Sequence, residues 1–262
     1  MNILFIGDIV GSPGRLAIRE LLPKLKKKKK IDFTIANAEN AAGGSGITPD
    51  VANELFDSGV DVLTSGDHIW QKKEIYDVLD RDKRVLRPAN YPKGSPGSGA
   101  TIVESQDGTK VAVVNILGRV FLSTIDCPFK TAEEIIGQLK EKTSVIIVDI
   151  HAEATSEKIA LGRFLDGSAS AVIGTHTHVQ TADETILAKG TAYITDAGMT
   201  GPFDSIIGRK VEQILTRFLT QMPTKFEMAT ADVRLQGVVV DVDEKTGKAL
   251  SIERVHEKLC IK

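Results

Sequence analysis

A set of potential metal ligands stands directly behind short apolar runs of this chain. Asp8 follows Asn2-Ile-Leu-Phe-Ile-Gly7, Glu39 and Asn40 follow Phe33-Thr-Ile-Ala-Asn-Ala38, and Asp67 and His68 follow a run ending at Thr64. Farther on, His151 closes the run from Ser144, and Gly174-Thr-His-Thr-His178 carries His176 and His178. Taken singly each has a bland explanation: Asp8 as a helix cap, Glu39 as a surface carboxylate, His68 as a satisfied histidine. Together they bring carboxylates and imidazoles to successive strand ends, where open α/β sheets gather ligands and catalytic groups.

Oxygen and nitrogen donors without thiolate suit Mn²⁺, Fe²⁺ or Zn²⁺ and argue against a cysteine-held structural zinc. Asp8, Glu39, Asn40, Asp67, His151, His176 and His178 are too many for one catalytic ion that must keep an open position. They fit a pair of ions about 3.5–4 Å apart. Cations that close need an anionic bridge, and Glu39 is the natural one. His176 and His178 are two residues apart, so an extended backbone would turn both rings to one side, with the threonines between orienting them.

The elements that must carry these groups alternate short apolar runs with helical patterns, which predicts a layered α/β fold, β-sheets flanked by helices, with the site at the carboxyl ends of strands. Strands are expected at 2–7, 33–38, 61–64, 84–87, 99–104, 111–116, 144–150, 170–174 and 191–195. Ser12-Pro13 and Thr48-Pro49 read as N-cap and first helical position of two helices. The first carries an apolar stripe through Ile18, Leu21, Leu22 and Leu25 and ends in Lys26–Lys30, a run that reads as a solvated helix end or, alternatively, a nucleic-acid patch. Helices are also expected at 133–139, 155–165 and 209–220, and 235–242 with 249–255 reads as a closing hairpin. Nothing resembles a linker, so residues 1–262 are expected to form one domain, with room for a small cap or insertion near 118–140.

A chain of 262 residues can bury one large core, and 42% hydrophobic with 26% charged residues is ordinary for a globular protein. The net charge of −2 gives no global attraction to bulk nucleic acid or an anionic membrane, so a small anionic substrate would need a local site. Cys127 and Cys260 lie far apart in no ligand spacing. With no signal-peptide pattern and no apolar stretch near the roughly 20 residues that span a bilayer, a cytoplasmic location is expected.

Gly7-Asp8, Gly66-Asp67-His68, His151 and Gly174-Thr-His-Thr-His178 resemble the motifs of calcineurin-like metallophosphoesterases. The wording of Gly7–Arg15, Ala36–Gly44, Asp149–Lys158, Gly174–Asp183 and Thr195–Pro202 is similar to one branch, the YmdB-type bacterial phosphodiesterases acting on 2′,3′-cyclic nucleotides. The resemblance covers essentially the whole chain. It implies a metallophosphoesterase-like fold and two metal ions, iron or manganese before zinc or magnesium. One ion would be held by Asp8, Glu39, Asn40 and His178, and the other by Glu39, Asp67, His151 and His176. His68 would protonate the leaving oxygen while a metal-bridging hydroxide attacks, giving a nucleoside 3′-phosphate. The superfamily's usual histidine two residues after the first aspartate is Val10 here, a change Asn40 would offset. Where the branch commonly has asparagine this chain has Asp67, which implies tighter cation binding and a less electrophilic metal pair. The resemblance also suggests a homo-oligomer and a small nucleotide substrate.

Substrate contacts are harder to read. Arg15 at a helix start whose N–H groups could meet phosphate, Asn115, Arg119 and the 88–99 and 195–202 loops are candidate pocket walls, and Trp70 either stacks a base or packs in the core. Three alternatives stay open. A dinucleotide oxidoreductase is disfavoured because Gly11-Ser-Pro-Gly14 lacks the G-x-G-x-x-G spacing. The others are a broader phosphodiesterase or phosphomonoesterase and a nucleotide-sensing regulatory protein of low activity.

Overall fold

The computed structural model describes residues 1–260. In chain order its first half comprises β1 (Asn2–Ile6), β2 (Asp8–Ile9), α1 (Gly11–Lys29), β3 (Phe33–Asn37), α2 (Pro49–Asp57), β4 (Val62–Thr64), α3 (Tyr76–Arg81), β5 (Ala100–Glu104) and β6 (Lys110–Leu117). There follow α4 (Pro128–Leu139), β7 (Val145–His151), α5 (Thr155–Phe164), β8 (Ala171–Thr175), β9 (Thr185–Ile186), β10 (Ala192–Ile194), β11 (Met199–Pro202), α6 (Val211–Thr220), β12 (Val233–Val242) and β13 (Ala249–Lys258). Among these residues one sheet runs β2-β11-β12-β1-β3-β4 with β13 on the far side of β12, and the other runs β5-β6-β7-β8-β10-β9.

Alternation along the strands builds four layers. Ile3 and Phe5 of β1, Phe33 and Ile35 of β3, Val111 and Val113 of β6, and Ile147 and Ile173 of β7 and β8 meet between the sheets. The opposite faces pack outward: Leu4 and Ile6 with Ile18 and Leu22 of α1 and Leu55 of α2, and Ile146, Val148 and Ile150 with Ile136 of α4 and Leu161 of α5. Strands buried on both faces read as unbroken apolar runs, which is why the sequence marks them so plainly. β1, β3 and β4 run parallel, as do β6, β7, β8 and β10, so their carboxyl ends gather along one edge of each sheet.

Several expectations are corrected. The 84–87 segment makes only isolated bridges, Leu63 with Val85 and Leu86 with Ser98, because Pro88 cannot extend a ladder. Helix α1 starts behind Val10 without a side-chain cap, and Ser12 is exposed within its first turn. Its opening glycines serve packing: a Cβ on Gly14 would stand 2.4 Å from the Thr200 carbonyl of β11. The Gly11 N–H donates to the Asn40 carbonyl (2.9 Å) and the Gly14 N–H to that of Val10 (3.1 Å), so this turn is no open phosphate cradle. Thr48 does cap α2, its hydroxyl accepting from the Val51 N–H.

The lysine run ends α1 with paired cations: Lys28 meets Glu257 and Lys29 meets Glu253 on β13, and Lys26 donates to the Gly59 carbonyl. Trp70 packs edge-on against Tyr76 and Tyr91. In the 118–140 stretch, the Arg119 and Val120 N–H groups donate to Glu157, and α4 places Ala132, Ile136 and Leu139 in the outer core of the second sheet. No described helix is long and apolar enough to cross a membrane.

Candidate metal centre

Each sheet delivers its donors where parallel strands stop. Asp8 lies just past β1, Glu39 and Asn40 just past β3, and Asp67 and His68 just past β4. From the second sheet His151 is the last residue of β7, while His176 and His178 follow β8. All of them converge at the shared edge. Ligand atoms of Glu39, Asp67, His151 and His176 lie within 4.8 Å of one another. Beside them His178 Nε2 stands 3.2 Å from Asn40 Nδ2 and 3.8 Å from Asp8 Oδ1.

Glu39 stands between these groups. Its Oε1 accepts from Asn40 Nδ2 (2.9 Å) and lies 3.4 Å from His68 Nδ1, while its Oε2 lies 3.2 Å from His151 Nε2. Gly66 leaves the space for this approach, since a Cβ there would come within 2.2 Å of Glu39 Oε2 and of the His151 ring. The histidine pair is not extended: His176 and His178 have φ of 100° and 63°, a region L-residues rarely adopt. The turn sends the rings apart, His176 toward His151 (Nδ1 to Nε2, 3.0 Å) and Glu153 (3.1 Å), and His178 toward Asn40.

Two observations fit cations here. Asp8 Oδ1 and Asp67 Oδ1 are buried with no hydrogen-bond partner, which leaves costly unsatisfied oxygens aimed into the cluster. Nitrogens of two imidazoles also face each other beside the Glu39 and Asp67 carboxylates, an arrangement that needs protons or metal to hold it together. Burial pushes the Asp8 carboxyl up to about 7. Burial and the neighbouring His151 push His176 down to about 4, and burial lowers His178 as well. Burial opposes charge on Glu39 too, but His151 outweighs it and holds Glu39 well below the usual carboxylate range; Glu39 in turn raises His151. For His68 the hydrogen bond to Glu39 raises the imidazole above its ordinary value.

Beneath the donors the inter-sheet layer turns polar in its last rung. Asp149 accepts from Asn37 Nδ2 (3.0 Å), Thr64 Oγ1 (2.5 Å) and Thr175 Oγ1 (2.7 Å), and Thr175 Oγ1 lies 2.9 Å from His151 Nδ1. Orientation of a ligating ring by such partners is a recurrent need of metal sites. Asn37, Thr64 and Asp149 escaped the sequence analysis, although each is a polar side chain near the end of an apolar strand, whereas an orienting role was expected of the threonines beside the histidines.

The open cleft over the donors, about 350 Å³, is lined by Val10, Asn40, Gly44, His68, Thr177, Ile207 and Arg209, among others. Arg209, whose Nη2 donates to the Gly44 carbonyl (2.6 Å), is the cation of that lining, and nothing in its sequence surroundings announced it. The structure does not bring the other proposed contacts here. Arg15 is spent on Glu54 (2.6 Å) and the Ala41 carbonyl (2.7 Å). Asn115 is wholly buried, holding the Ser65 backbone at 3.0 Å in both directions. Arg119 is exposed outside the cleft, and the 195–202 segment is buried throughout instead of walling the pocket. The 88–99 loop is tied elsewhere, with Asn90 donating to the Leu117 carbonyl (2.7 Å).

Known proteins resemble this chain over nearly its whole length. Residues 4–255 match the family described as YmdB-like protein. A Bacillus subtilis (strain 168) protein named 2′,3′-cyclic-nucleotide 2′-phosphodiesterase is 54% identical over 255 residues, 97% of this chain and 96% of its own length. The crystal structure of a hypothetical protein from Thermus thermophilus superposes with a TM-score of 0.92 at 42% identity, covering 98% of this chain and 99% of that one. That of a novel phosphatase from Mycoplasma pneumoniae gives 0.91 at 36% identity, covering 98% and 93%.

Proposed function

The chain belongs to the YmdB-like protein family, and from that premise we propose that it is a metal-dependent phosphodiesterase cleaving 2′,3′-cyclic nucleotides to nucleoside 3′-phosphates. The substrate is inferred from the activity named for the Bacillus subtilis relative, and the paired metal centre from the side chains here. One observation carries the centre: the two oxygens of Glu39 face different groups of donors, Oε1 toward Asn40 and Oε2 toward His151. Glu39 would thus bridge a site of Asp8, Asn40 and His178 and a site of Asp67, His151 and His176. Asn40 would ligate with its amide turned over, since its nitrogen now faces His178. Iron or manganese fits these donors.

When bound, such ions neutralise charge on the phosphoryl oxygens and acidify the attacking water. The chain supplies the rest. His68 Nδ1 lies 3.4 Å from Glu39 Oε1, a partner it would keep with the Asn40 amide turned over, which fixes the ring and leaves Nε2 to donate a proton to the departing ribose oxygen. Glu39 keeps this imidazole protonated to higher pH than an isolated histidine. Arg209 and Ile207 in the cleft wall would meet the nucleotide, and Val10 keeps one side of the site apolar.

The test is hydrolysis by the Mn²⁺-loaded protein of 2′,3′-cyclic nucleotides, 3′,5′-cyclic nucleotides and a simple phosphate monoester. Preferential cleavage of the first to 3′-phosphates is expected. Equal or greater activity on either of the others would replace this substrate with a broader one.

A further inference from the structure

Lys158 of α5 and Asp196 are both wholly buried, an expensive location for two charges that take no part in the proton transfer assigned above. Lys158 Nζ donates to the Thr175 carbonyl (2.6 Å) and to Asp196 Oδ2 (2.8 Å). The same Oδ2 accepts from the Thr177 N–H (3.0 Å) and the Thr177 hydroxyl (2.8 Å), and Oδ1 accepts from the Gly198 N–H (2.9 Å). The pair thus grips the residue before His176 and the residue between His176 and His178. Gly174 admits this packing, because a Cβ there would stand 1.8 Å from the Thr195 carbonyl and 3.1 Å from Lys158 Cδ.

The gripped turn is the one whose histidines both sit at positive φ, a conformation that persists only where its surroundings over-determine it. From the other side the His176 N–H donates to Asp8 Oδ2 at 3.0 Å, and His178 Nδ1 lies 3.3 Å from the Ile207 carbonyl. We propose that the Lys158–Asp196 ion pair is a positioning device that holds the 175–178 turn so that His176 and His178 reach different metal ions. This rests on the metal-centre reading above. A buried pair that served only stability could be exchanged for neutral side chains at little net cost, whereas a positioning pair could not be exchanged without loosening the ligands it aims.

The experiment titrates Mn²⁺ by calorimetry into metal-stripped full-length parent, Lys158→Met/Asp196→Leu and Thr177→Val, with metal-free thermal melts alongside. The folded double variant should bind Mn²⁺ about tenfold or more weakly, the usual range for lost support of a metal ligand. Thr177→Val, which removes only the hydroxyl bond, should weaken binding severalfold while melting as the parent does. Parent-like affinity in the folded double variant overturns the proposal. Should that variant not fold, parent-like affinity in Thr177→Val overturns it instead. A parent that takes up no Mn²⁺ would defeat the metal reading itself, a result distinct from a parent and variants that bind alike.

Discussion

His68 meets two demands, a ring held in direction and a nitrogen left free. Glu39 Oε1 faces Nδ1, and the side chain remains partly open to the cleft. His68→Ala is expected to keep its metals, counted by elemental analysis, and to lose turnover by about 10²–10⁴, the span of general-acid contributions; loss of the metals would instead make His68 a ligand. Asp67 brings a carboxylate with one buried, unpartnered oxygen into the same cluster. Asp67→Asn should therefore bind Mn²⁺ more weakly and turn over faster at saturating metal, and unchanged values of both would remove the charge argument. Asp8 contributes to the pH dependence. Its carboxyl is raised to about 7 by burial, so the protonated form prevails below that pH and a cation must displace the proton. Affinity for Mn²⁺ should fall as pH drops through about 7, with proton release visible as a buffer-dependent binding heat. A pH-independent affinity between 6 and 8 would contradict it.

The strands that carry the ligands were legible because parallel strands buried on both faces are written as continuous Val, Ile and Leu. Of the donors, Asp8, Glu39, Asp67 and His151 stand where that reading put them, at strand ends. What stayed hidden was contact across sequence. β2, β9 and β11 are two to four residues long, too short for a period to show. Arg209 reaches the cleft only because its loop folds back on Gly44, and Asp149 acquires its partners from three other strands. Arg15 failed as a substrate contact for the converse reason: Glu54, distant in sequence, takes its guanidinium. Where a signal was local it held, as at Thr48. Its hydroxyl accepts from the Val51 N–H of α2, and Thr48 is not among the cleft residues. Thr48→Ala should cost about 1 kcal/mol in denaturant unfolding and leave Mn²⁺ affinity unchanged; a change in affinity would mean that α2 is coupled to the site.

Four packed layers give the centre its rigidity. Donors from one sheet meet donors from the other across a shared edge, so neither sheet holds a complete site alone. The interface between them is apolar through most of its depth and polar only in the last rung beneath the ligands. Folding energy is thereby drawn from the apolar depth, while the polar rung and the Lys158–Asp196 pair aim side chains. In the proposed centre Glu39 would join the two halves, since Oε1 faces Asn40 and Oε2 faces His151. The most direct test is the metal content of the manganese-reconstituted chain, parent beside Glu39→Gln, read by elemental analysis after removal of loose ions. A pair of ions per parent chain, with both lost or greatly weakened in Glu39→Gln, is the predicted result. A single ion or none in the parent, or a full pair in Glu39→Gln, would contradict the bridged centre.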